Sequence, residues 1–410
     1  MVLPGEKSRV EFDHMSTAYA AGHVAQLTQM RSQCPMSWAE SHGGFWIATT
    51  YEDCVKIATN GELFSSANHV GQGDSSRTGI LIPPMPFQLP LNEVDAPLHM
   101  KRRLIEAPFF SPKYLRIYER ASQRIVDQAI DDVIERGAAD MMRDLCMRIP
   151  ASVALHVCGI GAERWADFAI PKSMAAILPP HHPDFPHEAL DRISREVLDV
   201  IRKRREHPRD DVATALALAK IDGQPIADDV AAGMLHTLAT GGFDTAISVL
   251  SNSFEWLERH PDQREQLRTN PDLLPNAIEE LLRMFPPLHV LARNATRENE
   301  MRGQIIRDGE KVAMSLWAAN RDPAQFANPE EMCFDRPNAG EHLSFSAGPH
   351  RCLGAPLARQ ELKVAIGEIL RRLPDYRIDR SRAQRFDEIG RNDGWKTMPI
   401  AFTPGKRKDR

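Results

Sequence analysis

Long stretches of the chain place apolar residues at the spacing of a helix. Residues 228–259 form the longest stretch, about eight turns without a proline. A second helix is predicted to start at Pro275 and to end before Pro286, and a third follows Cys352. The apolar positions of the last two helices are Ile278, Leu281, Leu282, Phe285, Leu357, Leu362, Ile366, Ile369 and Leu373. The pattern predicts a mainly α protein.

A smaller part of the chain has the composition of strands. Residues 45–50 follow two glycines and are rich in aromatic and β-branched side chains. Another β segment is predicted over residues 303–306, turning at Asp308 and Gly309 into residues 311–314. We therefore expect a small β-rich region beside the helices.

Two segments are too rich in Gly, Pro and Ser for long helices, namely residues 65–98 and residues 179–186. Long loops in compact domains are often binding loops or lids, so we expect the substrate entrance there. Since no repeat, low-complexity tract or long linker divides the chain, residues 1–410 are predicted to form a single domain.

Composition excludes several classes of protein. With 42% hydrophobic and 26% charged residues and a net charge of −5, the chain is globular in type and lacks the basic character of a nucleic-acid-binding protein. Its 6 cysteines are scattered without a CxxC pair, which favours a reducing compartment. The N-terminal sequence does not resemble a signal peptide, and no stretch has the length of a membrane span. The expected location is cytoplasmic, without a membrane partner.

The middle of the longest helix is unusual, because Gly241 and Gly242 interrupt it where nothing else ends a helix. Each internal glycine costs roughly 1 kcal/mol relative to alanine. The pair therefore predicts a kink or the close approach of a ligand.

The most informative segment is FSAGPHRCLG, residues 345–354, which holds one cysteine in a glycine-punctuated loop before a helix. Backbone amides at a helix start stabilise a thiolate. A lone cysteine is usually a small buried hydrophobic residue, and this interpretation is preferred for the other five. The pattern FxxGxHxCxG around Cys352, with the following APLAR, resembles the haem-binding loop of bacterial cytochromes P450.

The resemblance extends from about residue 40 to the C-terminus and implies the cytochrome P450 fold. Haem b would lie between the long central helix and the cysteine loop, with Cys352 as the axial ligand of the iron. Glu280 and Arg283 match the family's ExxR motif, which implies a buried ion-pair network with Arg336 as its third member. Without that context, Glu and Arg three residues apart are common surface neighbours.

Further residues match positions that bind the haem propionates in the family. These residues are His99, Arg103, Arg293 and His350. Buried carboxylates need Arg or His donors, whereas the alternative for each residue is a surface cation, as preferred for Lys101 and Arg102. His342 is expected to cap the cysteine loop.

Residues 241–245, GGFDT, are similar to the family's (A/G)GxDT motif. The resemblance implies that Thr245 and Asp244 are catalytic, with Thr245 hydrogen-bonding the oxygen species and Asp244 relaying protons. The alternative is a threonine that bonds back to its own helix beside a solvent-exposed aspartate.

The implied activity is insertion of one atom of O2 into a small hydrophobic substrate. Electrons would come from a 2Fe-2S ferredoxin and an NAD(P)H-dependent ferredoxin reductase, and ferredoxin would dock on Lys101, Arg102, Lys113 and Arg351. A peroxygenase and a haem sensor are alternative functions, but neither would need the acid-alcohol pair formed by Asp244 and Thr245. A cysteine hydrolase with His350 as base lacks an orienting third group.

The substrate pocket is expected to include residues 80–95, 238–243 and 288–291. The sequence is most similar to terpenoid-oxidising members, such as camphor and cineole hydroxylases. His289, Arg391 and Asn392 depart from their apolar pattern, so we expect the substrate to carry an oxygen function or a carboxylate. His181, His182 and His187 are interpreted as solvated loop residues rather than as a metal site.

Overall fold

The computed structural model describes residues 7–69, 76–85, 87–177, 182–390 and 393–408, without the side chains of residues 176 and 177. The helices are α1 Thr17–Gln33, α2 Tyr51–Thr59, α3 Leu98–Glu106, α4 Pro112–Ile134, α5 Arg148–Val157, α6 Trp165–Ile177, α7 His187–Glu206, α8 Val212–Leu218, α9 Asp228–Arg259, α10 Pro261–Thr269, α11 Leu274–Met284, α12 Leu316–Ala319 and α13 Ala355–Arg372. The mainly α prediction is confirmed, and the three predicted helices are α9, α11 and α13.

The strands are short. They are β1 Arg9–Val10, β2 Met36–Ala39, β3 Phe45–Ala48, β4 Phe64–Ser65, β5 Ala138–Asp140, β6 Lys220–Ile221, β7 Gln224–Pro225, β8 Val290–Ala295, β9 Asn299–Met301, β10 Gln304–Ile306, β11 Lys311–Ser315, β12 Arg377–Ile378, β13 Gln384–Arg385, β14 Trp395–Thr397 and β15 Pro399–Ala401. The chain divides into two compact units, so the single domain over residues 1–410 stays a prediction.

The first unit lies within residues 1–101, 279–352 and 387–393 and contains the largest sheet. Its strand order is β1-β2-β3-β11-β8-β4, in which β1 with β2 and β3 with β11 are parallel and the other pairs are antiparallel. Trp46, Phe64 and Met314 are among the fully buried residues of its apolar core. This core holds the sheet against α2.

The predicted hairpin at Asp308 and Gly309 is wrong. β10 pairs with β9 instead, across a turn at Arg302 and Gly303 whose φ values are 51° and 74°. β11 pairs with β3 and β8. Every residue of β11 is buried, and a strand buried along its whole length is most stable in the interior of a sheet, where both edges are paired.

The second unit lies within residues 102–278, 353–386 and 394–410 and is built around α9. Helices α5, α7 and α8 pack on α9, and α4 packs on α13. The predicted apolar positions Leu362, Ile366 and Ile369 of α13 are all buried. Their spacing of three and four residues places them on one face of the helix.

Gly242 of α9 has a packing role. The helix is continuous through Gly241 and Gly242, and the kink or ligand approach stays a prediction. A Cβ on Gly242 would lie 3.1 Å from the Cβ of Ala154 in α5, whereas a Cβ on Gly241 would meet nothing within 4 Å. Gly242 therefore permits the close approach of a neighbouring helix.

The described parts of the predicted entrance loop, residues 66–69, 76–85 and 87–97, contain no helix or named strand. A buried carboxylate, Glu93, accepts hydrogen bonds from Asn68 Nδ2 at 3.0 Å, from the Ile80 amide at 3.0 Å and from the Leu89 amide at 2.9 Å. These bonds replace secondary structure in satisfying the backbone of the loop.

Candidate functional site: a cysteine loop, a cationic cluster and an acid-alcohol pair

Positive φ values and a close approach to α2 constrain the backbone of the cysteine loop. Ser346 and Gly348 have φ values of 57° and 69°, and a Cβ on Gly348 would lie 2.5 Å from the Ala58 carbonyl oxygen of α2. Glycine is therefore required at position 348. The Cys352 amide donates to the Phe345 carbonyl at 2.9 Å, and Cys352 itself is exposed.

Cys352 differs in its surroundings from the other cysteines. Cys54, Cys146 and Cys158 are buried, and burial raises the pKa of each thiol. This agrees with their interpretation as small hydrophobic residues, and Cys34 is half-buried. An exposed sulfur on a rigid loop is accessible to a metal ion.

Glu280 and Arg283 form a buried ion pair at 2.7 Å, and Arg336 joins it at 3.0 Å. The Cys333 amide also donates to Glu280 Oε1 at 2.9 Å. Burial raises the pKa of the Glu280 carboxyl, but the bonds from Arg283, Cys333 and Arg336 outweigh this effect and lower it. The predicted network is confirmed.

Asn320 connects this network to the cysteine loop. Arg283 Nη1 donates to the Asn320 carbonyl at 2.8 Å, while Asn320 Oδ1 accepts from the Leu343 amide at 2.6 Å. Asn320 Nδ2 donates to Ser344 Oγ at 2.9 Å. The ion pair therefore fixes the segment that leads into the loop.

Three of the predicted propionate ligands lie in the same unit as Cys352. His99 is buried in α3, and its ring centroid lies 3.9 Å from that of His350. Arg293 in β8 is 3% exposed, and burial lowers its pKa to about 10. His342 is confirmed as a loop cap, because its Nδ1 accepts from the Ser344 amide at 3.1 Å.

These residues fit haem in their chemistry. Arg293 Nη1 donates to the Ala292 carbonyl at 2.7 Å, and the negative charge of Asp95 opposes the effect of burial on the pKa of Arg293. No carboxylate of the described chain lies within ion-pair distance of this buried guanidinium, so the position favours a bound carboxylate. An exposed thiol on the same unit would supply the iron ligand.

Arg103 lies in the second unit and is half-buried. Burial raises the pKa of the neighbouring Glu106 carboxyl to about 8, and the charge of Arg103 opposes this rise.

Asp244 and Thr245 lie in the middle of α9. The Thr245 hydroxyl donates to the Gly241 carbonyl at 2.9 Å, as in the alternative of a threonine bonded to its own helix. Asp244 is not exposed, and its burial raises its pKa to about 7. The hydroxyl oxygen of Thr245 keeps its capacity to accept hydrogen bonds.

Sequence reasoning missed two residues: Lys172, whose charge acts on Asp244, and His236, on which Lys172 also acts. The charge of Lys172 in α6 lowers the pKa of Asp244 and so opposes the effect of burial. Burial also lowers the pKa of Lys172 itself. Burial and the charge of Lys172 lower the pKa of His236 to about 4. The spacing of eight residues between His236 and Asp244 could have indicated a shared helix face, whereas nothing local marks Lys172.

His289 is fully buried, and its contact with substrate stays a prediction. Its Nδ1 lies 2.9 Å from the Tyr19 hydroxyl, and its Nε2 lies 3.6 Å from Asp393. The hydrogen bond with Tyr19 connects α1 to the residue before β8. Arg391 and Asn392 lie outside the described residues.

The histidines of the other predicted loop form no metal site among the described residues. His182 Nδ1 lies 3.9 Å from Asp184, and the ring of His187 packs on Phe185 with centroids 4.5 Å apart. His181 lies outside the described residues. In the described chain, no helix is both long enough and apolar enough to cross a membrane.

Comparison with known proteins identifies the family. Residues 160–374 match the cytochrome P450 family. The steroid C26-monooxygenase of Mycolicibacterium smegmatis is 32% identical over 94% of this chain and 94% of that protein. Cytochrome P450-terp of a Pseudomonas species is 29% identical over 91% of this chain and 92% of that protein.

A solved structure extends the likeness to three dimensions. Cytochrome P450 CYP268A2 of Mycobacterium marinum, in complex with pseudoionone, matches this fold with a TM-score of 0.86 and 26% identity, covering 97% of this chain and 100% of that one. The exposed cysteine, the buried arginine and the acid-alcohol pair thus occur on a cytochrome P450 fold, and this family uses haem b. The chain belongs to the cytochrome P450 family and is a haem-dependent monooxygenase.

Proposed function

We propose that this enzyme inserts one oxygen atom from O2 into a small hydrophobic substrate of terpenoid type that carries an oxygen function, with electrons from a 2Fe-2S ferredoxin and its NAD(P)H-dependent reductase. The observation that carries the monooxygenase chemistry is the exposed Cys352 thiol on its rigid loop, with the buried Arg293 in the same unit. Bound haem would supply the cleavage of O2 and the transfer of oxygen.

The haem would be held by the chain at two kinds of position. Cys352 would ligate the iron, and His99, Arg103, Arg293 and His350 would hold the propionates. Arg293 has the clearest physical reason for this role, because a propionate would neutralise its buried charge.

Asp244 and Thr245 would supply the protons that the reaction needs. A carboxyl with a pKa of about 7 can both hold and release a proton near neutral pH, which suits a relay. Thr245 would accept a hydrogen bond through its hydroxyl oxygen while the hydroxyl still donates to the Gly241 carbonyl. Lys172 would tune the pKa of Asp244 through its charge.

Lys172 and His236 support an oxygen-bearing substrate. No carboxylate of the described chain lies within ion-pair distance of Lys172, and His236 Nε2 is a buried atom that has no hydrogen-bond partner among the described residues. A substrate carbonyl or hydroxyl would satisfy such donors. The names of two similar proteins, P450-terp and the pseudoionone complex, favour a terpenoid.

The electron donor is proposed from exposed cations. Lys113 and Arg351 are exposed, and such residues steer an acidic ferredoxin. Charge reversal at both positions is expected to lower ferredoxin-dependent turnover and to weaken its dependence on salt. The carbon monoxide spectrum after dithionite reduction should stay unchanged. A variant whose turnover equals that of the wild type at every salt concentration would contradict this docking.

The first test is the absorption spectrum of the dithionite-reduced protein with carbon monoxide. A strongly red-shifted Soret band is expected in the wild type and in a Cys333→Ala control, and should be lost in Cys352→Ala. A red-shifted band that persists in Cys352→Ala, or a histidine-type carbonyl spectrum in the wild type, would contradict the assignment.

The substrate class is tested by spin-state titration of the haem-loaded enzyme. An oxygenated terpenoid is expected to bind about tenfold more tightly than its parent hydrocarbon, and Lys172→Met should remove this preference. A steroid that binds more tightly than every terpenoid would instead favour the substrate class named for the Mycolicibacterium relative.

A further inference from the structure

Three side chains of types that bind metals converge in the first unit, and none of them is among the residues proposed to hold haem. Asp13, His14 and His42 each offer a ligand atom, and these atoms all lie within 4.8 Å of one another. His42 Nε2 and Asp13 Oδ1 are 2.7 Å apart. In the part of the chain that the structure describes, no other group of three His, Cys, Asp or Glu residues converges in this way.

The three residues come from two separate segments. Asp13 and His14 lie just before α1, where Ser16 is the N-cap residue. His42 lies in the turn between β2 and β3, and it has a φ of 52°. Ser41 Oγ donates to the Phe12 carbonyl at 2.8 Å and holds the two segments together. The convergence is therefore a product of the fold, since no sequence motif contains all three residues.

Hydrogen bonding fixes the ring of His14. Its Nε2 lies 2.9 Å from the Ile82 carbonyl oxygen. Because a carbonyl can only accept, Nε2 must carry the proton, and the lone pair of the neutral ring is on Nδ1. Metal-binding histidines commonly have their second nitrogen bonded to a backbone carbonyl in this way. His14 is 2% exposed, so its ring has little freedom to turn.

We propose that Asp13, His14 and His42 form a binding site for a zinc-type divalent cation, with His14 contributing Nδ1 and His42 contributing Nε2. Two imidazoles and one carboxylate favour Zn2+ over Mg2+ or Ca2+, which prefer oxygen ligands. Ligand atoms around tetrahedral zinc are roughly 3.3 Å apart, given bonds of about 2.0 Å. The 2.7 Å between His42 and Asp13 requires a widening of a few tenths of an ångström.

The site would act as a structural clip. The metal would join the segment before α1 to the turn between β2 and β3, with water at the fourth position. The clip would stabilise the folded protein in proportion to the zinc concentration, because the three ligands come together only after folding.

The test is calorimetric titration of the haem-loaded enzyme with zinc chloride. One zinc per chain is expected, and His42→Asn and Asp13→Asn should each weaken binding about tenfold or more. Asparagine is chosen at position 42 because it tolerates positive φ. His182→Ala removes another histidine that lies near an aspartate, Asp184, and should leave zinc affinity unchanged.

Thermal unfolding supplies a second readout, which is independent of turnover. Zinc should raise the Tm of the wild type and of His182→Ala, but not of His42→Asn. The carbon monoxide spectrum should be the same in all of these proteins, so failure of the zinc site is distinguishable from failure of the haem assignment. Zinc affinity that is equal in the wild type, His42→Asn and Asp13→Asn, or absent in the wild type, would overturn the proposal.

Discussion

Two clusters of charged residues, one in each unit, each contain a buried carboxyl group, and the pKa values of these two groups are shifted in opposite directions. In the first unit, Glu280 and Arg283 are fully buried, and Glu280 is paired with both Arg283 and Arg336. In the second, Asp244 and Lys172 influence each other's pKa, but they form no ion pair in the described chain. The pKa of Glu280 is lowered, whereas that of Asp244 is raised to about 7.

This difference distinguishes charged groups that stabilise the fold from charged groups that can exchange a proton. A buried carboxylate whose oxygens are all bonded to cations and amides stays ionised and rigid. A carboxyl that is desolvated without such partners moves its pKa toward neutral pH and can exchange a proton. Among acidic residues of one fold, the degree of hydrogen bonding therefore indicates the role.

The largest expected effect is in the first cluster. Glu280→Gln should lower the free energy of unfolding by about 3–5 kcal/mol, because it removes the buried carboxylate that pairs with Arg283 and Arg336. The measurement is chemical denaturation together with haem content. The matched control is Glu265→Gln, which breaks an i,i+3 pair with Arg268 on the surface and should leave stability unchanged. Equal effects of the two substitutions on stability would contradict the stabilising role of the buried network.

In the second cluster, substitution should affect chemistry rather than folding. Asp244→Asn is expected to lower product formation about 100-fold, because the amide cannot relay protons. Haem content and the carbon monoxide spectrum should be retained. Asp229→Asn, at an exposed position near the start of α9, is the control. A large loss of haem with Asp244→Asn would show that this residue is structural too.

A smaller effect is expected from the neighbouring cation. Lys172 lowers the pKa of Asp244, so Lys172→Met should raise that pKa further above its ordinary value of 3.8. The proton that Asp244 must hold would then be retained to higher pH. The alkaline limb of the pH profile of turnover should move upward, by up to about one pH unit. A profile that is unchanged, or moved downward, would exclude Lys172 from the relay.

The smallest effect concerns the glycines beside Asp244. Gly241→Ala should raise the free energy of unfolding by about 0.5–1 kcal/mol, because a Cβ there meets nothing and alanine favours helix. Gly242→Ala should lose this gain, because its Cβ would press on Ala154 at 3.1 Å. Denaturant unfolding of the two variants measures the difference. An equal gain from both would mean that α5 moves aside without cost.

Much of the fold could be predicted from the sequence, since helices depend on local patterns. The longest apolar pattern, residues 228–259, coincides with α9, and the family resemblance of the ExxR motif indicated that Glu280 and Arg283 form a buried pair. The pairing of β11 could not be predicted in this way. A strand's partners are chosen by contacts between distant segments, and here β3 and β8 replaced the local hairpin.

The same distinction between local patterns and contacts of distant segments applies to the candidate site. The sequence by itself indicated Cys352, Asp244 and Thr245 as candidate site residues, because their motifs are short and continuous, and Arg293 through the match of its position to the family. The tertiary structure alone decided the electrostatic environment of Asp244, the burial of His289 and the convergence of Asp13 with His42. The physical reason is that burial and charge proximity depend on side chains far apart in sequence, which no local pattern records.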